Sequence, residues 1–393
     1  MISGFGEDDK SSSKMERAVS LVEKTISKIG KFILTFWKKC DTLYVTTISD
    51  KKEGEENMKK QERLEAEKFL LQRIFEEDPD FVDRTMEAFS VSRSTVYNYI
   101  NHLQDTGELE RVGGSMPYRI VYRTSRFTID TSKERSEDRV YNRDVAPLLA
   151  DYPANVQKIW RYAITSMLNN AMEHSGASAI ICVVSRSRLC TIVGILDNGA
   201  GIFRRIQQAR REETGESITT AEAASLLYTG GYTSDADAHR GEGIFFTSRL
   251  MDHFAIRSDM QLFTPVGEDE EDEGTGERFR GTAVQMALNN DTDREISDVM
   301  GRYVDPEEGF IRTEIPVARF FGGFPVSRSE ARYLGERLEG FKEVTLDFTG
   351  VTEIGPDFAH EFFGVVVPRR PDLTVLTENT TDGVAAAIRR AER

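Results

Sequence analysis

Apolar residues recur along the chain in two periods, and the places where one period gives way to the other divide it. Leu21, Val22, Ile26, Ile29, Ile33, Phe36 and Trp37 fall at helical spacing with lysines between them, the pattern of an amphipathic helix. The polar run 50–57 closes that part of the chain. Gln61 to Phe75 keeps the helical period, and Asp80 to Phe89 predicts a second, shorter helix. Ser92 is placed to cap a third, in which Val96, Ile100 and Leu103 make an inward stripe. Glu110 to Tyr122 then reads as two strands around Gly113-Gly114-Ser115. After a charged connector from Asp130 to Asp144, Ile159 to His174 predicts a long helix that Gly176 ends. Strands over 179–185 and 189–196 follow, then helices over 202–211 and 219–228. A loop of small residues, Thr229 to Ser234, precedes a helix that opens at Gly241-Glu242-Gly243 and runs to about Asp252. Strands over 254–258 and 282–288 come next. Past Gly309 the pattern is helix 328–338, buried strand 343–348, helix 358–366, strand 373–376 and helix 383–391.

Composition narrows the class. At 393 residues the chain has room for about two to four domains, and 39% hydrophobic with 30% charged residues is the balance of a folded, soluble protein. A net charge of -15 argues against coating nucleic acid or membrane along the whole length. Part of that charge is the acidic run Glu268 to Glu273. Cys40, Cys182 and Cys190 are too few and too scattered for a disulfide framework or a zinc site, and the last two are expected to be inert core thiols. No apolar run reaches the ~20 residues of a membrane span, so the expectation is a cytoplasmic protein without a membrane partner. For residues 1–58 three readings stand: a membrane-surface or partner helix, a poorly ordered extension, or translated sequence upstream of a start at Met58.

Three helices and a hairpin over 59–125 resemble a winged helix-turn-helix. That resemblance puts Arg93, Ser94, Thr95, Tyr97 and Asn98 on the exposed front of the recognition helix, with Arg111 and Arg119 in the wing. Charge tempers it: residues 59–123 carry 10 Lys/Arg against 12 Asp/Glu, and phosphate neutralisation dominates DNA affinity. The segment Val91 to Gln104 nevertheless holds Arg93 and no acid. Two uses stay open, DNA binding and protein contact or dimerisation; a homodimer is expected only by analogy with winged-helix regulators.

The richest chemistry begins where an apolar strand runs into Asp197-Asn198-Gly199-Ala200-Gly201. The strand fixes a carboxylate able to accept from a ring amine, and the glycines let backbone turn sharply and a ligand come close. Four blocks in order, Asn170-Ala171 with His174, Asp-x-Gly-x-Gly, Gly241-Glu242-Gly243 at a helix start, and Gly281-Thr282 before the last strand, resemble the GHKL superfamily. These are gyrase-type, chaperone and histidine-kinase ATPases on the Bergerat fold, a helix layer over a mixed sheet. The resemblance implies an ATP-binding domain over 144–290. Asn170 would hold Mg²⁺, Asp197 would take the adenine amine with Gly199 and Gly201 shaping its pocket, and Thr282 would stand near Asp197. Gly241 and Gly243 would offer N–H groups to phosphate, His174 and Arg240 would contact phosphate, and Tyr228 to Arg240 would be the lid. One departure limits the chemistry. Four residues before Asn170, where family members usually carry Glu or Asn, stands Ser166, a poor general base. Slow or absent turnover is the expectation.

The join 344–358 resembles the STAS-like family, in a domain over 309–393. Gly355-Pro356-Asp357 occupies the junction where anti-anti-sigma relatives carry a phosphorylatable serine. Asp357 is read as a permanent charge there or as a first-turn carboxylate. The fold expected is α+β multidomain: winged helix-turn-helix, Bergerat α/β sandwich and STAS-like α/β domain, with linkers at 126–143 and 291–308. The function expected is a signalling or transcription regulator in which Mg²⁺-ATP modulates the DNA-binding and STAS-like domains, with a regulatory protein as a possible partner. The alternative is an active serine/threonine kinase or ATPase of the anti-sigma-factor type.

Overall fold

A computed structural model describes residues 55–114, 116–230, 242–265 and 279–393. The stripe at 21–37, most of the expected lid with Arg240 and Gly241, and the acidic run lie outside the described residues. The chain divides into two compact units. One gathers the residues up to Phe127 with Ile181–Gly194 and Ala287–Thr292, and the other holds the remainder.

In the first unit α1 (Glu55–Phe75), α2 (Phe81–Phe89) and α3 (Arg93–Asp105) lead into β1 (Leu109–Arg111) and β2 (Tyr118–Ile120), which pair antiparallel. Their apolar stripes close one core, in which Leu70, Leu71, Ile74, Val96, Ile100 and Leu103 meet Leu189, Cys190 and Ile192. Ser92 caps α3 as its position foretold, its hydroxyl accepting from the Thr95 N–H at 3.2 Å. Ser90, in the left-handed region at φ 52°, ends α2. Glu67 is fully buried, and its charge is met by Arg63 at 2.8 Å and Arg188 at 3.1 Å. Burial of a lone carboxylate would be costly, and the two arginines offset that cost.

β3 (Arg123–Asp130), α4 (Glu137–Val140), α5 (Ala154–Asn169), β4 (Ala179–Arg186), β5 (Cys190–Asp197), α6 (Ile202–Thr214), α7 (Thr220–Thr229), α8 (Glu242–Leu250), β6 (His253–Asp259), β7 (Gln261–Phe263) and β8 (Phe279–Asn289) follow. Six strands form one sheet in the order β3-β4-β5-β8-β6-β7. β5 is buried at every position, which explains a run of consecutive apolar residues in place of alternation. The interval 126–143 is therefore not a free linker. Much of it is the edge strand β3 and the helical stretch from α4 onward, missed because β3 alternates weakly (Ile129 is buried) among charged neighbours.

Beyond the sheet come α9 (Ile296–Tyr303), β9 (Val304–Asp305), β10 (Gly309–Phe310), β11 (Arg312–Pro316), α10 (Val317–Phe321), α11 (Arg328–Arg337), β12 (Glu343–Asp347), α12 (Pro356–Glu361), β13 (Thr374–Glu378) and α13 (Asp382–Ala391). β11, β12 and β13 pair in parallel, in that order. The second expected linker, 291–308, is likewise structured: α9 buries Val299 and Tyr303, two apolar residues too few to declare a helix by pattern. The result is an α+β architecture of several sheets, and among the described residues no helix is long and apolar enough to cross a membrane.

Candidate functional site

α5 presents two faces to two surroundings. Ile159, Trp160, Ala163, Ile164, Met167 and Leu168 are buried, whereas Tyr162, Thr165, Ser166, Asn169 and Asn170, spaced at i, i+3, i+4, i+7 and i+8, are half-buried on a cavity wall. At Asn170 the helix widens into a turn with i to i+5 hydrogen bonding through His174. Such single wide turns occur frequently at functional sites. The cavity has a volume of about 380 Å³, inside the range of small-molecule sites. Ile195, Ile202, Ile256 and Val284 give it apolar walls, and Ser166, Asn170, His174, Asp197, Gly243 and Thr282 all line it.

Asp197 ends β5 only 4% exposed. Burial pushes its carboxyl up to about 6, and the Gly199 N–H together with the hydroxyl and N–H of Thr282 offsets part of that rise. The Gly199 N–H donates to Asp197 Oδ1 at 2.7 Å, and Thr282 Oγ1 accepts from the Ile202 N–H at 3.1 Å. Asn198 Oδ1 accepts from the Ser178 and Ala179 N–H groups and ties the end of β5 to the start of β4. The two motif glycines do their work in the backbone. A Cβ on Gly199 would strike the Ser175 carbonyl, and Gly201, at φ 91°, abuts Ser258 Oγ as it opens α6.

Wall residues that escaped the motif reading include Tyr162, Asn169, Arg205 and Glu242. Tyr162 and Asn169 share a helix face with Ser166 and Asn170, and Arg205 follows Gly201 by one turn, so helical spacing could have found them. Asn169 Oδ1 and Arg205 Nε are buried without a hydrogen-bond partner among the described residues, which leaves an acceptor and a donor available to a bound group. Among the described residues no cluster of three or more His, Cys, Asp or Glu could hold a metal ion. A divalent cation here would depend on amide oxygens, water and a ligand's phosphates, which is how Mg²⁺ is commonly held. A purine nucleotide with Mg²⁺ fits this donor set: a desolvated carboxylate for an amine, an unpaired amide oxygen for a cation and an arginine for phosphate.

The residues expected to meet DNA are restrained by their neighbours. Ser94, Thr95, Tyr97 and Asn98 lie on the first turns of α3, and Tyr97 is 42% exposed. Arg93 is ion-paired with Asp83 of α2, and Arg119 with Glu110 at 2.6 Å, so acids of the same module meet both cations. Ser92 Oγ hydrogen-bonds Ser94 and Thr95 at 2.8 Å, committing those hydroxyls to the cap.

A family model for a STAS-like domain of unknown function (DUF4325) matches residues 330–382. These residues run from α11 to the first residue of α13. No curated protein matches the chain. In the STAS-like segment Asp357 lies in the first turn of α12 and pairs with Arg328 at 3.2 Å. Both side chains are largely exposed, so the pair contributes little.

Proposed function

We propose that the cavity binds ATP with Mg²⁺, in a GHKL-type domain, and that the bound nucleotide regulates a DNA-reading winged helix and the STAS-like segment. The observation that carries the reading is Asp197. An almost fully buried carboxylate, ionised at neutral pH, closes an apolar cavity and would accept the adenine amine. Ile195 and Val284 would flank the base, Asn170 with Asn169 would hold Mg²⁺, and Gly243 at the start of α8 would face phosphate. Bound Mg²⁺ would supply charge neutralisation at the phosphates. The chain's own part is to orient the base, exclude water around it and bring two helices against one ligand. Ser166 gives α5 no carboxylate, which favours a binding and signalling role over rapid turnover.

Titration of the full chain with a fluorescent ATP analogue, with and without Mg²⁺, tests the reading. Saturable, Mg²⁺-enhanced binding is expected. Asp197→Asn should weaken it by about 10- to 100-fold, the effect of an unmatched buried polar contact worth roughly 1–3 kcal/mol. Equal binding by parent and variant, or none by the parent, would refute it.

A further inference from the structure

We infer that Glu242, the first residue of α8, supplies to the nucleotide cavity the carboxylate that α5 lacks at Ser166. The inference rests on the nucleotide reading above. Three placements bring the two helices to one wall. A Cβ on Gly243 would lie 3.4 Å from Ser166 Cβ and 3.7 Å from its Oγ, so the first turn of α8 abuts α5 at that residue. Glu242, Tyr162 and Ser166 all line the cavity. The Tyr162 phenol is raised by burial first and by the Glu242 charge second, while the Ser166 hydroxyl lowers it, so one phenol senses both groups.

Among the described residues two other carboxylates reach the cavity. Asp197 is engaged by the Gly199 N–H. Glu137 lies on α4, whereas the start of α8 abuts Ser166 itself. Glu242 is therefore the carboxylate placed where a base is missing. In a hydrolytic step its carboxylate accepts a proton from water as the water oxygen bonds to the terminal phosphorus. The bond to the bridging oxygen breaks, its electron pair leaves with the nucleoside diphosphate, and the proton passes to solvent.

The experiment measures phosphate release from Mg²⁺-ATP and, in parallel, fluorescent-analogue affinity, on the full chain. It compares the parent with Glu242→Gln, Glu137→Gln and the double variant Glu242→Gln/Ser166→Glu, each checked for a cooperative melt. The parent should show slow but measurable release. Glu242→Gln should lower it about 100-fold, as loss of a general base does, while binding the analogue at least as tightly, because a negative charge beside phosphate is gone. Ser166→Glu should restore release in that background by returning a carboxylate to the same wall. No release by the parent, equal release by Glu242→Gln, or a loss that follows Glu137→Gln overturns the inference while leaving nucleotide binding intact. Failure of the parent to bind the analogue removes the nucleotide reading itself, and this inference with it.

Discussion

Asp197 is held against its solvation preference. Its carboxyl titrates near 6 when folded and near 3.8 when the chain is open, because burial penalises the charged form more than the Gly199 and Thr282 donors relieve it. A carboxyl with a raised folded pKa binds its proton more tightly in the folded state, so stability falls as pH rises through the window from about 4 to about 6. Two pH units correspond to roughly 3 kcal/mol, lost in full above that window. Without ligand, Asp197→Asn should therefore melt higher than the parent at pH 7, with the difference shrinking toward pH 4. Parallel melting curves across pH 4 to 7 would show that the site holds no such cost. Should the variant be both more stable and unable to bind nucleotide, the cost belongs to function.

At the scale of elements, α3 shows how a pattern can be right and its consequence incomplete. Its cap and buried stripe are present as the sequence implied, yet its one cation is held by Asp83, ten residues earlier on another helix. Removing that acid should free Arg93 for phosphate. Asp83→Ala is expected to raise affinity for duplex DNA and steepen the salt dependence by about one unit in log–log slope. Retention of no DNA by parent or variant at low salt would leave the protein-contact use of the module. The same contrast runs through the chain. α5, β5 and α3 were legible because a continuous period or apolar run declared them. β3, α9, α10 and β11 were not, since each buries only one or two apolar side chains and draws its stability from a neighbour. At the cavity, the residues legible were those of fixed spacing, Ser166, Asn170 and Asp197. Glu242 was hidden because its place depends on α8 meeting α5 across the fold.

At the largest scale, the cavity helices also touch β11, the strand that pairs with β12 of the STAS-like segment. The Thr313 hydroxyl of β11 donates to the Thr229 carbonyl at the end of α7 at 2.8 Å, and Arg249 of α8 donates to the Glu314 carbonyl at 3.2 Å. Phe245 and Phe246 of α8 pack with Tyr303 and Phe310, and Phe310 packs with Phe341. α8 thus holds Glu242 and Gly243 at one end and bonds through Arg249 to β11, the strand beside β12. A ligand that fixes the start of α8 must act on β11 if those contacts are rigid, and the coupling then has a measurable size. Typical couplings of about 1–3 kcal/mol would slow exchange of the β11 and β12 amides by roughly 5- to 150-fold when a Mg²⁺-bound ATP analogue is added. Thr313→Val removes the link to α7 and leaves the Thr229 carbonyl without it, so it should reduce that protection while the analogue still binds. Protection confined to the cavity walls in the parent would mean that the nucleotide is sensed locally and the STAS-like segment does not receive the signal through β11.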